Sequence, residues 1–106
     1  TAEQILSIVK AVQNPWFGVN LDTGNFHTPD PYADLAKLAP YSVNVQLKTE
    51  IRAKGKKTED ADLKRLLGIL KKASYRGYVA LEYEAKEEPK VAVPRHIAAL
   101  QKLIRG

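Results

Sequence analysis

Apolar and polar positions along the chain predict an alternation of helices and strands. Three short apolar runs, at about residues 17–21, 42–47 and 78–83, are each typical of a buried strand. Four other segments carry apolar residues at the i, i+3, i+4, i+7 spacing of a helix that packs one face on a core. The resulting order, αβαβαβα, predicts an α/β unit with parallel strands, because a parallel connection usually contains a helix.

Capping residues and prolines mark the predicted helix boundaries. Thr1 and Gln4 have the spacing of a capping box at the start of the first helix, and Pro15 ends that helix. Proline is tolerated in a first helical turn, which favours Pro31 and Pro94 as starts of the second and fourth helices. The predicted helices span about residues 1–13, 30–37, 58–73 and 94–104, with Asp30 and either Thr58 or Asp60 as further caps.

Residues 49–60 are polar and show neither a helical nor a strand period. The segment contains Lys54, Lys56 and Lys57 and directly follows the second predicted strand. This composition is typical of a mobile surface loop on the side where the strands end. Its lysines also raise nucleic-acid binding as an alternative, but no aromatic residues are interleaved with them, which favours a solvated loop.

Composition limits the functions that remain. The chain has 106 residues, 44% of them hydrophobic and 27% charged, which predicts one globular unit over residues 1–106 with a modest core. The net charge of +5 favours anionic ligands without specifying a reaction. Because cysteine is absent, disulfides and thiolate metal sites are excluded. No apolar run is long enough for a membrane span and no leader pattern is present, so the cytoplasm is the expected compartment and no membrane partner is expected.

A polar side chain lies at or near the end of each predicted strand. These side chains are Asp22, Gln46 and Glu82. Parallel strands end on the same side of a sheet, where α/β proteins place their chemistry, so we expect the three to converge. Glu82 is the strongest candidate, because a carboxylate that closes a Val-Ala-Leu strand is rarely buried unless it is paired or metal-bound. The alternatives are a turn role for Asp22 and a buried structural amide for Gln46.

Three stretches in order carry a family resemblance: DTGNF at residues 22–26, APYSVNVQLKT at residues 39–49 and GYVALEYE at residues 77–84. Together they resemble the last three strands of the sugar phosphate isomerase/epimerase family, whose members are xylose-isomerase-like TIM barrels. The similarity covers nearly the whole chain. It implies the C-terminal part of a (β/α)8 TIM barrel, with about three parallel strands and four helices.

The resemblance also implies a divalent metal, held at the carboxyl end of the barrel by two glutamates, an aspartate and a histidine. Asp22 matches the aspartate position, Glu82 matches the final glutamate, and Gln46 falls where many members have histidine. A carboxamide oxygen is a weaker donor than imidazole, which favours Mn²⁺ or Mg²⁺, with Co²⁺ or Zn²⁺ as alternatives. The strand that carries the first family glutamate would lie upstream of Thr1, so we expect that ligand to be absent from this chain.

The reaction implied by the family is isomerisation or epimerisation of a small-molecule sugar or sugar phosphate. A proton next to a carbonyl is transferred through an enediolate that the metal stabilises, and Glu82 would serve as both ligand and acid/base. Asn25 and Arg52 match positions that contact substrate hydroxyls. Lys48 could neutralise a phosphate or carboxylate, and His27 lies just past the first strand. For Lys48 and Arg52 the alternative is an ordinary salt-bridging role, and for His27 it is a solvated loop position.

Three strands are fewer than a closed barrel needs, since a (β/α)8 barrel takes about 250 residues. Three strands taken from a barrel have two unpaired edges, and we expect an uncovered apolar inner face. The chain is therefore predicted to self-associate, to pair with a missing N-terminal half, or to be unstable alone. The alternatives to an enzyme are a non-catalytic, self-associating barrel fragment and a phosphate- or nucleic-acid-binding module, because the superfamily includes a DNA-repair endonuclease group.

Overall fold

The chain forms a parallel three-stranded sheet, as the apolar runs predict. The computed structural model describes residues 1–12, 14 and 17–105, so the predicted helix end at Pro15 lies outside the described residues. The sheet strands are β1 (Val19–Asp22), β2 (Ser42–Leu47) and β5 (Val79–Leu81). They pair in the order β1, β2, β5 and both neighbouring pairs run parallel. The predicted α/β class with three parallel strands is confirmed.

Four helices pack on one face of this sheet. They are α1 (Ala2–Val12), α2 (Pro31–Leu38), α3 (Leu63–Lys72) and α4 (Pro89–Arg105), and a short 3-10 turn at Ala39–Tyr41 follows α2. Each helix contacts the next one in chain order, and all four contribute to a single hydrophobic core. Among the described residues, no helix combines the length and the apolar character that crossing a membrane requires.

Two of the predicted helix caps are confirmed and one is wrong. The Thr1 amino nitrogen donates to Gln4 Oε1 over 2.7 Å and the Gln4 backbone donates to Thr1 Oγ1 over 3.3 Å, which is the predicted capping box. Asp30 caps α2 through the backbone N–H of Ala33. The cap of α3 is Asp62, not Thr58 or Asp60, because the helix begins at Leu63 and the Asp62 side chain accepts a hydrogen bond from the backbone N–H of Arg65.

The last helix begins earlier than predicted. Pro89 stands at its first position, and Pro94 lies inside the helix rather than at its start. Proline in a helix leaves the carbonyl four residues earlier without its usual partner, so α4 tolerates one missing hydrogen bond near its beginning. Leu100 is buried, whereas Ile97 and Ile104 of the same helix are 41% and 62% exposed.

Residues 49–60 contain regular secondary structure, which their polar composition does not indicate. Two short strands, β3 (Glu50–Ile51) and β4 (Glu59–Asp60), pair in an antiparallel ribbon. Ile51 is buried, and Gly55 adopts the positive φ of 73° in the turn between the strands. The prediction of an unstructured loop is therefore wrong, because two-residue strands are too short for an alternating pattern to be recognised.

The helix-facing side of the sheet is aliphatic and buried. Val19, Leu21, Val45 and Leu47 all point to this side and are at most 8% exposed. Leucines from α2, α3 and α4 pack against them in one continuous core. We call this side the helix face of the sheet.

The opposite side of the sheet is polar, and we call it the open face. Asn20 and Asp22 of β1 lie beside Asn44 and Gln46 of β2 in the parallel register. Asn44 Nδ2 donates to Asn20 Oδ1 over 3.0 Å, and Asn20 Nδ2 lies 3.5 Å from Gln46 Oε1. The expectation of an uncovered apolar inner face is therefore wrong, because side chains of period two place amides and carboxylates there.

An apolar surface also lies beside α3, β5 and α4. A groove of about 900 Å³ is lined by apolar residues that include Leu67, Tyr75, Val79 and Leu103. Tyr78, the residue before β5, is 87% exposed. Self-association stays a prediction, and light scattering after size exclusion tests it.

Candidate functional site

The three predicted strand-end residues lie at the same end of the sheet. Asp22 pairs with Gln46 across β1 and β2, and Gln46 pairs with Ala80 across β2 and β5. Glu82 follows Ala80 by two residues and therefore projects to the same face. The backbone N–H of Glu82 donates to the carbonyl of Leu47 over 2.9 Å, which continues the strand pairing to this position.

Asp22 is fixed by two different partners. Its Oδ1 atom accepts a hydrogen bond of 3.0 Å from the backbone N–H of Gly24, which is the turn interaction typical of aspartate. Its Oδ2 atom lies 3.2 Å from Lys48 Nζ, and the Asp22 side chain is 13% exposed. The turn role and the charged role therefore both apply to this carboxylate.

A threonine connects the ends of the first two strands. The backbone N–H of Thr23 donates to the carbonyl of Gln46 over 3.0 Å, and Thr23 Oγ1 accepts a hydrogen bond of 2.9 Å from the backbone N–H of Lys48. Thr23 is buried, so these bonds are shielded from water. They hold the backbone of Lys48 in place relative to Asp22.

Lys48 has three oxygen partners in this site. Its Nζ atom donates to Asn25 Oδ1 over 2.9 Å and lies 3.2 Å from Asp22 Oδ2 and 3.5 Å from Glu84 Oε2. The side chain is only 16% exposed. Burial opposes the ammonium charge, but the hydrogen bond and charge of Asp22, helped by Glu84 and Glu82, raise the pKa of Lys48. Lys48 is therefore a protonated cation at neutral pH.

Glu82 has an unsatisfied oxygen. Its Oε2 atom is buried and has no hydrogen-bond partner. Burial raises the pKa of Glu82, the charges of Asp22 and Glu84 raise it further, and the charge of Lys48 opposes them. A carboxylate with a raised pKa is a better proton acceptor than an ordinary one, which suits acid–base chemistry near neutral pH.

Arg52 and His27 lie in a neighbouring cleft and pair with each other. Arg52 NH2 is 3.1 Å from His27 Nδ1, and both residues are exposed. They share the cleft, of about 380 Å³, with Lys48, Asn25 and Thr58. In the part of the chain that the structure describes, neither makes an ion pair or side-chain hydrogen bond with the carboxylates of the sheet.

Several residues that shape this site are not among the predicted set. Glu84 is an ion-pair partner of Lys48, and Asn20 and Asn44 form the amide row behind Gln46. Their signal in the sequence is the alternation of Asn with apolar residues along β1 and β2, which places the amides on the face of Asp22 and Gln46. The signal for Glu84 is that it follows Glu82 by two residues, which is the spacing of side chains on one face of a strand.

The oxygen donors on the open face are of the kind that hard divalent cations prefer. Asp22 and Glu82 supply carboxylate oxygens, and the buried Oε2 of Glu82 has no other partner to satisfy it. Across residues 1–12, 14 and 17–105, no three His, Cys, Asp or Glu side chains form a group that could hold a metal ion. The donor set fits a metal only if the amide oxygen of Gln46, or a ligand beyond these residues, joins the two carboxylates.

Two comparisons with known proteins bear on this arrangement. A family model described as a xylose isomerase-like TIM barrel matches residues 1–103, which is nearly the whole chain. A search of the curated proteins found no match.

Proposed function

The chain belongs to the xylose isomerase-like TIM barrel family, and from this membership we propose that its sheet supplies part of the active site of a sugar isomerase or epimerase. The family supports an isomerase/epimerase-like superfamily, and the carboxyl ends of the strands are where such barrels place their chemistry. The observation that carries the proposal is the buried, unpartnered Oε2 of Glu82, at that end of the sheet.

In this proposal Glu82 moves the proton next to the substrate carbonyl. Its raised pKa brings its basicity closer to neutral pH, so that it can accept the proton from carbon and return it to the neighbouring carbon on the same face, which is an isomerisation. An epimerisation also requires a second proton donor on the opposite face of the enediolate. The partly buried surroundings also favour the transfer, since a carboxylate that is fully hydrated is a weaker base. Its lack of a hydrogen-bond partner leaves Oε2 available for this role.

Asp22, Gln46 and Glu82 are the residues that would hold a divalent metal, with Mn²⁺ or Mg²⁺ favoured by their oxygen donors. When bound, such an ion would stabilise the negative charge that develops on the substrate oxygens. The Asp22–Gln46 pair in the strand register places two of these donors side by side. The amide oxygen of Gln46 also faces the amide row, since Asn20 Nδ2 lies 3.5 Å from Gln46 Oε1.

Substrate binding is assigned to the polar side chains that surround the neighbouring cleft. Asn25, Arg52 and His27 line it together with Lys48. These groups donate hydrogen bonds to hydroxyls, and the cations attract a phosphate or carboxylate on the same molecule. A sugar or sugar phosphate has both kinds of group.

The proposal is tested by hydrogen exchange at carbon. The protein is incubated in D₂O with Mn²⁺ and a panel of aldoses, ketoses and their phosphates, and proton NMR follows the loss of the C–H signal next to the carbonyl. We expect exchange with at least one sugar of the panel. Glu82→Gln should reduce its rate by about 100-fold or more, since the general base is lost.

Glu59→Gln provides the matched control, because this carboxylate is exposed and belongs to the antiparallel ribbon rather than to the three-stranded sheet. Its exchange rate should equal that of the wild type. If no sugar exchanges, or if Glu82→Gln exchanges as fast as Glu59→Gln, the proposal is wrong.

A further inference from the structure

We propose that Lys48 is a tethered counter-cation, which occupies the acidic end of the site until a divalent metal displaces it. The inference deepens the proposed function and rests on its metal site. It makes the metal affinity of the protein depend on a residue that is not a ligand.

The ammonium group of Lys48 has the surroundings of a bound cation. Its three oxygen partners come from separate segments: Asp22 at the end of β1, Asn25 in the following loop and Glu84 beyond β5. The distances from Nζ to these oxygens are 2.9 to 3.5 Å. A surface lysine normally extends into water, whereas this one turns its charge into the protein.

The backbone also makes room for the lysine stem. A Cβ atom at Gly24 would lie 2.5 Å from Cδ and 3.0 Å from Cβ of Lys48, which is closer than side-chain atoms approach each other. The missing side chain at Gly24 therefore allows Lys48 to lie across the turn. The backbone N–H of Lys48 is fixed by Thr23 Oγ1, so the start of the stem is held as well as its end.

A metal and the ammonium would compete for the same carboxylate. Oδ2 of Asp22 lies 3.2 Å from Nζ, and Oδ1 already accepts a hydrogen bond from Gly24. A divalent ion that binds Asp22 would meet a positive charge at close range and be repelled by it. Metal binding therefore requires the ammonium to leave, and removal of the ammonium should strengthen metal binding.

Isothermal titration with Mn²⁺ on the sugar-free protein tests the competition without any measurement of activity. Lys48→Met keeps the length and apolar stem of the side chain and removes its charge. We expect this variant to bind Mn²⁺ about tenfold more tightly than the wild type, which is the scale of a charge interaction at a partly buried site. Lys56→Met removes an exposed lysine and controls for net charge, with an expected change of less than about twofold.

Gly24→Ala offers a second route to the same result. The added methyl group displaces the Lys48 stem and changes no charge, so we expect tighter Mn²⁺ binding than in the wild type. Asp22→Asn in the Lys48→Met background should remove the gain, because the contested carboxylate is gone. Circular dichroism melts confirm that each variant folds, and Lys48→Gln replaces Lys48→Met if the latter does not.

The outcomes separate the two proposals. Tighter binding in Lys48→Met, or binding in that variant alone, supports the counter-cation. Equal or weaker binding in Lys48→Met, with measurable binding in the wild type, overturns the counter-cation and leaves the proposed metal site standing. If neither protein binds Mn²⁺, the proposed metal site fails and the counter-cation fails with it.

Discussion

The helix face and the open face of the sheet are built from the same three strands, yet they differ in almost every property. The helix face carries aliphatic side chains such as Leu21 and Leu47, which are nearly inaccessible to water. The open face carries amides and carboxylates, such as those of Asn44 and Glu82. The Oε2 atom of Glu82 is buried without a hydrogen-bond partner. Burial on the first face supplies most of the stabilisation, and the second face retains polar groups that contribute less to it. The comparison separates stability from function within a single sheet.

The largest predicted effect on stability comes from shortening a buried side chain on the helix face. Leu47→Ala removes a fully buried side chain, so we expect the free energy of unfolding to fall by about 2–5 kcal/mol. Asn44→Ala, on the other face of the same strand, should lower it by about 1 kcal/mol, the net value of a typical hydrogen bond. Urea unfolding of both variants measures the difference. Equal losses would remove the distinction between the faces.

A smaller loss is expected where the ends of the strands are joined. Thr23→Val leaves the backbone N–H of Lys48 without its acceptor in a buried position, which should lower the free energy of unfolding by about 1–3 kcal/mol. Thr58→Val is the control, since Thr58 is exposed. Urea unfolding distinguishes them, and an equal effect of the two changes would mean that the hydrogen bond does not join the strands.

Neutralising the two carboxylates of the open face should affect stability differently. Asp22→Asn loses a charge that has both a cationic partner and a backbone donor, so stability should fall. Glu82→Gln replaces a carboxylate that is partly buried without a partner for Oε2, so the free energy of unfolding should stay the same or rise by about 1 kcal/mol. Thermal melts in metal-free buffer compare the two. A loss in Glu82→Gln as large as that in Asp22→Asn would place Glu82 among the stabilising groups.

The smallest effect belongs to a surface pair outside both faces. Arg95 NH1 and NH2 each donate over 2.6 Å to the carboxylate of Glu87, and this bond lowers the pKa of Glu87 below its ordinary value of 4.5. A lowered folded-state pKa stabilises the fold above the unfolded-state pKa and loses that effect as pH falls through the folded-state value. The melting temperature of Glu87→Gln should therefore lie slightly below that of the wild type at pH 7, and the gap should shrink as the pH falls below 4.5 and through the lowered pKa of Glu87. A gap that persists in acid would exclude the ion pair as its cause.

The main elements of the fold could be predicted because their signals are strong. Polar or turn residues flank the apolar run of β2 on both sides. Its observed range, Ser42–Leu47, is the predicted one. The capping aspartate of α2 was recognisable because Asp30 directly precedes Pro31, and proline is favoured at the first position of a helix. The common end of Asp22, Gln46 and Glu82 followed from the parallel arrangement of the strands.

The rest depends on geometry that sequence patterns do not encode. The antiparallel ribbon uses two-residue strands, too short to show a period, and the cap of α3 is Asp62, which follows the ribbon. The position of the Lys48 ammonium is decided by a side-chain conformation and by the space above Gly24, which no spacing rule gives. The open face is the exception: it was expected to be apolar, although the alternation of Asn20 and Asn44 with apolar neighbours indicates a polar face.

The position of β2 between its two neighbours has a consequence for how the site moves. Its backbone is paired on both sides, with β1 and β5, so within the described sheet its amides should be the slowest to exchange with solvent. Gln46 belongs to this strand and Lys48 directly follows it, whereas Asp22 is the last residue of β1 and Glu82 directly follows β5. The Gln46 amide and the Lys48 ammonium therefore belong to the part of the sheet that opens least often. The carboxylates of Asp22 and Glu82 lie at the ends of the edge strands, whose local opening changes their distance from Gln46 and Lys48.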